Sequence, residues 1–279
     1  LARKYFNDKG DMQRNRIIAA EKSFHGRTMA TLSATGQAKI RQGFNPLLGG
    51  FDFVPFNDID ALKNKIKPFT CAVIIEPVQG EGGVRCPDAE YLKDVRRLCN
   101  KTGVLLIFDE IQTGIGRTGK LFAYEHFGIE PDIMTLAKAL ANGLPIGAML
   151  AKEHIAAAFG PGSHASTFGG TPVITAASLE VVRTLAREKI IDHCLQIGVY
   201  FKEKLLWLKD RHDSITDVRG IGLLLGIKLK TDGGPVVKKC AEKGFLINCI
   251  QGNILRFIPP LIIKKDEIDS LITCLDEIL

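Results

Sequence analysis

A buried apolar run that ends in two carboxylates is the first place where this sequence could do chemistry. Residues 104–108 have the pattern of a strand that is buried on both faces, and Asp109 and Glu110 follow it directly. A buried, unpaired carboxylate is costly and tends to take up a proton. We therefore expect Asp109 either to lie at a strand end in water or to have a cationic partner.

A lysine in an apolar context follows a second predicted strand, residues 132–136. The spacing between Asp109 and Lys138 suits two strands joined by a crossover. An ordinary surface lysine is the plain interpretation. However, a desolvated lysine has a depressed pKa and condenses with an aldehyde, and a carboxylate on a neighbouring strand can pair with a ring nitrogen. The two residues together predict a site for a cofactor that carries an aldehyde on a pyridine ring.

The elements that must position these residues alternate between strands and helices, which predicts an α/β fold with a mostly parallel sheet. In such sheets ligands gather at the carboxyl ends of the strands, where Glu76 and Asp109 both lie. The other predicted strands are residues 17–20, 51–55, 71–76 and 146–151.

Two helices of this region have recognisable ends. Asp58 is predicted to cap a helix over residues 59–66, and Asp88 is predicted to cap a second helix. Gly103 is predicted to end that second helix.

After Pro172 the pattern changes to two long helices, residues 173–188 and 190–209, and then to short strands mixed with helices. This pattern predicts a smaller α+β domain. We expect a large domain over residues 1–188 and a small C-terminal domain over residues 189–279.

Composition excludes several classes of protein. The chain has 279 residues, 46% of them hydrophobic, and a net charge of +6 from dispersed lysines and arginines, which is ordinary for a globular protein. Basic tracts with interleaved aromatic residues are absent, so we expect no nucleic-acid partner, and no apolar run approaches the ~18 residues of a membrane span. The seven cysteines are scattered without a Cys-x-x-Cys pair, which favours the reducing cytoplasm. No histidine spacing predicts a metal site.

Six segments, in order along the whole chain, resemble the class III aminotransferases of fold type I, which use pyridoxal phosphate. The segments are residues 23–28 (SFHGRT), 76–84 (EPVQGEGGV), 108–119 (FDEIQTGIGRTG), 137–148 (AKALANGLPIGA), 162–172 (GSHASTFGGTP) and 255–261 (LRFIPPL). The resemblance implies a large domain whose mostly parallel sheet is sandwiched by helices.

The resemblance also implies roles at the cofactor. Lys138 is expected to bind pyridoxal phosphate covalently and then to move a proton during the reaction. Asp109 is expected to keep the pyridine nitrogen protonated, which answers the question of its partner. Gln112 is expected to hydrogen-bond the phenolic oxygen of the ring, and Phe24 to stack on the ring face.

Ser166 and Thr167 match a loop that reaches the cofactor phosphate of the other subunit. The resemblance therefore implies a homodimer whose active site is shared across the interface. Capping of the helix that starts at Pro172 is the alternative interpretation, although Thr171 is the better placed cap.

Substrate carboxylates need bidentate partners, which arginine supplies. By resemblance, Arg256 binds the α-carboxylate of glutamate or 2-oxoglutarate, and Arg27 binds the far carboxylate. Glu81 matches an acid that can pair with Arg256 and release it when the dicarboxylate enters. Glu76 is expected nearby, and Glu110 is expected to be structural.

Within the family, His25 and Gly82 match the members that act on N-acetylornithine, since members that act on ornithine favour tryptophan and alanine there. Ornithine stays open as the main alternative donor, and 4-aminobutyrate, succinylornithine, an aminomutase reaction and a non-catalytic fragment stay open as well. The chain begins at Leu1 without methionine, and residues 1–6 resemble the helix that follows a phosphate-binding Gly-Thr loop. We therefore expect a piece of a longer protein that binds cofactor weakly.

Overall fold

The apolar runs of the sequence form strands in a computed structural model that describes residues 1–279. The strands are β1 (Arg16–Ala20), β2 (Phe51–Val54), β3 (Thr70–Ile75), β4 (Leu105–Asp109), β5 (Ile133–Leu136), β6 (Ala148–Ala151), β7 (Ile215–Ile221), β8 (Leu224–Leu229), β9 (Asn248–Ile250) and β10 (Ile254–Phe257).

The helices alternate with the strands in the first part of the chain and lengthen after residue 171. They are α1 (Ala2–Asp8), α2 (Met29–Ala34), α3 (Ala38–Arg41), α4 (Ile59–Lys65), α5 (Tyr91–Thr102), α6 (Glu153–Ala156), α7 (Pro172–Arg187), α8 (Ile190–Arg211), α9 (Gly234–Glu242) and α10 (Lys265–Ile278). Two 3₁₀ turns cover Ala123–Phe127 and Lys138–Ala141. None of the helices is both long enough and apolar enough to cross a membrane.

Six strands form one sheet in the order β2-β1-β3-β4-β5-β6. The first five strands are parallel, and only β6 runs antiparallel, beside β5. The predicted α/β fold with a mostly parallel sheet is thus confirmed. Ile18, Leu106 and Phe108 are fully buried in its core, because helices cover the faces of such a sheet and its strands are apolar throughout. The carboxyl ends of β1, β3, β4 and β5 share one edge, which is where ligands bind in sheets of this kind.

Four strands form a second, antiparallel sheet in the order β7-β8-β10-β9. Helices α8 and α10 contribute Phe201, Leu205 and Leu275 to its core, which also contains Leu225 and Leu255. The strands and helices of this region agree with the predicted α+β pattern.

The chain divides into two compact units that are not continuous in sequence. The first contains Leu1–Pro77, Pro87–Gln112 and Tyr124–Val181, and the second contains Val78–Cys86, Thr113–Ala123 and Val182–Leu279. Two short segments, residues 78–86 and 113–123, belong to the second unit although residues of the first unit flank them in sequence. Their residue pattern does not predict this assignment. A domain boundary near residue 188 stays a prediction.

Helix ends were predicted with mixed success. The Asp58 side chain accepts a hydrogen bond from Ala61 N at 2.8 Å at the start of α4, and Gly103 ends α5 with φ 64°, so both predictions are confirmed. The Asp88 prediction is wrong, because α5 begins at Tyr91. Asp88 lies in the preceding turn, where its backbone carbonyl, and not its side chain, accepts from Tyr91 N at 3.2 Å.

Candidate active site

Asp109 is the last residue of β4 and is held by two hydrogen bonds. Its Oδ2 lies 2.7 Å from His25 Nδ1, and its Oδ1 accepts from Ile111 N at 3.1 Å. The Asp109 and His25 side chains are only 7% and 2% exposed. Asp109 is thus a buried carboxylate with a partner, as burial requires, and the partner within this chain is His25.

The pKa of His25 is raised by its surroundings. Burial alone lowers it, but the hydrogen bond and the charge of Asp109, together with the charge of Glu76, outweigh burial. The other ring nitrogen, Nε2, is buried without a hydrogen-bond partner. Since Asp109 accepts at Nδ1, the proton of a neutral His25 belongs on Nδ1. The raised pKa of His25 means that Asp109 favours the ionised imidazolium over the neutral ring.

Sequence reasoning used His25 only as a marker of family branches and missed its contact with Asp109. The two residues are 84 positions apart, and a single histidine has no spacing that indicates its partner. The one available signal was its position beside Phe24, in a segment that follows a strand of the same sheet.

Glu76 follows β3, the parallel neighbour of β4, and reaches the same edge of the sheet. Its Oε2 accepts a hydrogen bond from Phe24 N at 3.1 Å. Phe24 is half-buried, and the Arg27 guanidinium carbon lies 5.6 Å from the centre of its ring. The segment after β1 thus places an aromatic ring beside the buried Glu76 that follows β3, and an exposed arginine beside that ring.

Lys138 starts the 3₁₀ turn that follows β5. In the register of the sheet, Asp109 of β4 pairs with Thr135 of β5, so the two strand ends are adjacent, as the sequence predicted. Lys138 has φ 46°, a left-handed conformation that a lysine rarely adopts, and strain of this kind concentrates at functional sites. The turn is anchored by Ser178, whose Oγ donates to Leu140 O at 2.8 Å.

The expected desolvation of Lys138 is wrong for this chain, because its side chain is exposed. The physical reason is its position: β5 ends at Leu136, and the turn carries the lysine beyond the buried part of the sheet. Leu140 and Ala141, two and three residues further on, are buried.

The remaining predicted cofactor residues lie on turns and loops of the first unit. Gln112 is half-buried in the turn after β4. Ser166 and Thr167 lie on an exposed loop between α6 and α7. Glu110 is buried and its Oε1 accepts from Tyr124 N at 2.9 Å, which agrees with the structural role expected of it.

The second unit contains the predicted pair of Arg256 and Glu81. Arg256 lies in β10, and its Nη1 is 2.6 Å from Glu81 Oε1. Its Nε donates to Asn248 Oδ1 at 3.3 Å. The Arg256 side chain is 6% exposed, whereas that of Glu81 is 30% exposed. The ion pair is present as predicted, while its part in substrate binding stays a prediction.

Comparison with known proteins defines the class. The sequence profile of the family described as aminotransferase class-III matches residues 1–279, and the chain belongs to this family. Acetylornithine aminotransferase from Methanocaldococcus jannaschii is 50% identical over 281 residues, which cover 100% of this chain and 70% of the relative. The protein of the same name from Aquifex aeolicus is 49% identical, with 100% and 72% covered.

Solved structures agree with the family. The ornithine aminotransferase from Toxoplasma gondii superimposes with a TM-score of 0.94 at 34% identity, covering 99% of this chain and 68% of that one. The fold is that of the fold type I aminotransferases, and the chain is a pyridoxal-phosphate-dependent aminotransferase. The residues at the edge of the sheet fit this cofactor, since a buried carboxylate at the end of β4, a lysine just after the neighbouring β5 and the half-buried ring of Phe24 supply the groups that it needs.

Proposed function

We propose that this protein transfers the δ-amino group of N2-acetylornithine to 2-oxoglutarate, giving N-acetylglutamate 5-semialdehyde and glutamate, a reaction of arginine biosynthesis. The observation that carries the choice of donor is the identity of about half of all residues, along the entire chain, with proteins named acetylornithine aminotransferase. His25, which replaces the tryptophan expected of ornithine-specific members, points the same way.

Two residues of the first unit carry the chemistry. Bound pyridoxal phosphate supplies an aldehyde for the amino group and an electron sink for the electrons of the broken C–H bond. Lys138 binds the cofactor at rest. With the cofactor and substrate bound, Lys138 Nζ would be the base that accepts a proton from the carbon bearing the amino group and the acid that donates it back.

Asp109 acts on the ring nitrogen, which it keeps protonated because its own negative charge is fixed in a buried place. His25 and the Ile111 amide hold the carboxylate still, so no reorganisation is needed during the reaction. Phe24 stacks on the ring, and Gln112 hydrogen-bonds the phenolic oxygen.

Substrate carboxylates are bound by arginines. Arg27 binds the α-carboxylate of acetylornithine and the far carboxylate of 2-oxoglutarate. Arg256 binds the α-carboxylate of 2-oxoglutarate, and the Glu81 carboxylate covers it while the amino donor, which has no second carboxylate, is bound. Glu76 holds the backbone of the Phe24 segment and so shapes the same region of the first unit.

We propose that the protein is a homodimer in which Ser166 and Thr167 reach the cofactor phosphate of the other subunit. The support lies in the surface beside them, where Phe168 is 80% exposed and Val173 is 77% exposed. Large exposed apolar side chains in one segment mark interaction surfaces. A cytoplasmic location fits the seven free cysteines.

The test of the mechanism is Lys138→Ala. We expect the visible absorbance band of the lysine-bound cofactor to disappear and turnover to fall by at least about 10²–10⁴-fold, the usual contribution of a general acid–base. Lys120→Ala, at an exposed turn, is the control and keeps both. A Lys138→Ala protein that retained the band would exclude this lysine as the attachment point.

The test of the substrate compares kcat/KM for N-acetylornithine, ornithine, succinylornithine and 4-aminobutyrate with 2-oxoglutarate as acceptor. We expect N-acetylornithine to be used best. Ornithine is the second candidate because of the structural similarity to the Toxoplasma gondii enzyme, and faster use of ornithine would select it. Conversion of glutamate 1-semialdehyde without 2-oxoglutarate would instead identify an aminomutase.

A further inference from the structure

The loop that carries Glu81 is a short hairpin whose base is fixed. Gln79 and Arg85 exchange two backbone hydrogen bonds, each of 3.0 Å. Val78 and Val84, on either side of this pair, are fully buried against the apolar residues of the second sheet. The base of the hairpin therefore does not open without loss of core packing.

The tip of the hairpin is held from outside by two side chains. Gln251 Nε2 donates to the backbone carbonyl of Glu81 at 2.9 Å, and Arg219 Nη1 donates to Gly83 O at 3.2 Å. Arg219 is itself fixed by an ion pair with Asp217 at 2.6 Å. The backbone is therefore held on both sides of Gly82, and the Glu81 side chain extends from this fixed backbone to Arg256.

Gln251 holds this position at a conformational cost. It lies in the turn between β9 and β10 with φ 51°, in the left-handed region, which glycine and asparagine adopt more readily than other residues. The following residue, Gly252, also has a positive φ, of 81°. Successive positive φ values are what a tight hairpin turn requires, and this turn directs the Gln251 side chain to the Glu81 carbonyl.

We propose that Gln251 is a positioning residue that sets the balance between amino donor and dicarboxylate. By holding the Glu81 backbone it keeps the carboxylate on Arg256, so that the pair opens by rotation of the Glu81 side chain alone. The inference rests on the proposed role of the pair. Without the Gln251 side chain the closed pair is weaker, and a dicarboxylate binds Arg256 more easily.

The experiment is a calorimetric titration of the cofactor-loaded protein with glutarate, a dicarboxylate that cannot react. For Gln251→Gly we expect glutarate to bind roughly threefold more tightly, the effect of one ordinary hydrogen bond. The KM for 2-oxoglutarate falls by the same factor, while kcat is unchanged. The melting temperature stays the same or rises, because glycine suits the left-handed conformation. The conservative Gln251→Asn also suits the backbone but is one methylene shorter, and we expect it to behave like the glycine variant.

Lys189→Gly is the matched control, because Lys189 also has φ 51° and is exposed at the start of α8. It relieves the same strain without a contact to Glu81, and we expect unchanged glutarate affinity. Glu81→Gln is the reference variant, because it removes the charge of Glu81 and so represents the open state of the pair with Arg256. If Glu81→Gln tightens glutarate binding and Gln251→Gly matches Lys189→Gly, the Gln251 proposal is overturned and the proposed function stands.

Two other results are decisive. If neither Glu81→Gln nor Gln251→Gly changes glutarate affinity, the pair does not compete with dicarboxylates. That result contradicts the proposed role of Arg256 in substrate binding, on which the Gln251 proposal rests. If Gln251→Gly lowers the melting temperature and leaves glutarate affinity unchanged, Gln251 serves stability alone and the proposal is overturned.

Discussion

Two carboxylates, one in each compact unit, are held in opposite ways. Asp109 is buried and accepts hydrogen bonds at both of its oxygens, from His25 and from the Ile111 amide. Glu81 has a fixed backbone, but its side chain is 30% exposed and is paired with Arg256. One carboxylate is buried and fixed by two hydrogen bonds, and the other is partly exposed and paired with an arginine.

The difference fits the roles that we propose for the two charges. A carboxylate that stabilises a cation throughout a reaction works best when its orientation is set in advance in a place with little water. A carboxylate that competes with a substrate must have water as an alternative partner, because a buried charge without a partner is too costly to leave. Burial thus separates a permanent electrostatic role from an exchangeable one.

The largest expected effect comes from removing the charge of the buried carboxylate, Asp109. In Asp109→Asn the ring nitrogen loses its charged partner, and hydrogen bonds to charged groups contribute about 1.5–3 kcal/mol, or about 10- to 150-fold in affinity. We expect the Kd for pyridoxal phosphate, measured by absorbance titration, to rise by this factor. Asp58→Asn, at a helix cap that asparagine serves equally well, should bind as the parent does. Equal affinity of the two variants would show that Asp109 does not face the cofactor.

The second effect concerns the histidine that locks Asp109. Because the pKa of His25 is raised in the folded protein, its ionised form stabilises the fold. That contribution is complete below about pH 6.5, the ordinary pKa of histidine. It is lost as the pH rises through the raised pKa.

We therefore expect His25→Asn to destabilise the cofactor-free protein more at pH 6 than at pH 9. The difference amounts to about 1.4 kcal/mol for each unit by which the pKa is raised. Urea unfolding at the two pH values measures it, with His164→Asn on an exposed loop as the control. The same loss of stability at both pH values would mean that the His25–Asp109 contact is not ionic.

Much of the first unit could be predicted from sequence because its strands are buried on both faces. Apolar runs such as residues 104–108 have few alternative structures, and a carboxylate at their end indicates the functional edge of a sheet. The cap at Asp58 was predictable because it depends on adjacent residues alone. The same argument failed at Asp88, where an extra turn precedes the helix and nothing in the local pattern excludes it.

Contacts across long separations could not be predicted from pattern. His25 contacts Asp109 because β1, β3 and β4 are neighbours in the sheet. No single segment of the sequence indicates the order of the strands. The left-handed conformation of Lys138 was also unpredictable, since lysine has no preference for it. The pairing of Arg256 with Glu81, 175 positions apart, was expected from the family resemblance alone.

The third effect comes from removing the charge of the partly exposed carboxylate, Glu81. In Glu81→Gln the neutral amide competes less well for Arg256, and we expect the KM for 2-oxoglutarate to fall about fivefold. This is smaller than the full effect of a charged hydrogen bond, because Glu81 is partly exposed and solvent screens the pair. The rate of the half-reaction with the amino donor should fall, since no carboxylate then neutralises the charge of Arg256. Glu203→Gln, on the exposed side of α8, changes neither value, and a raised KM for 2-oxoglutarate in Glu81→Gln would contradict competition.

The smallest expected effect distinguishes a residue that orients Arg256 from one that competes with the substrate for it. Asn248 accepts from Arg256 Nε at 3.3 Å, a long hydrogen bond to an exposed side chain. In Asn248→Ala the guanidinium gains freedom that a bound carboxylate must remove, so we expect the KM for 2-oxoglutarate to rise about twofold, the low end for one hydrogen bond. The sign is opposite to that of Glu81→Gln, because Asn248 orients Arg256 while Glu81 competes for it. Steady-state kinetics of the two single variants and the double variant would show this directly, and a fall in KM for Asn248→Ala would mean that Asn248, too, covers the arginine.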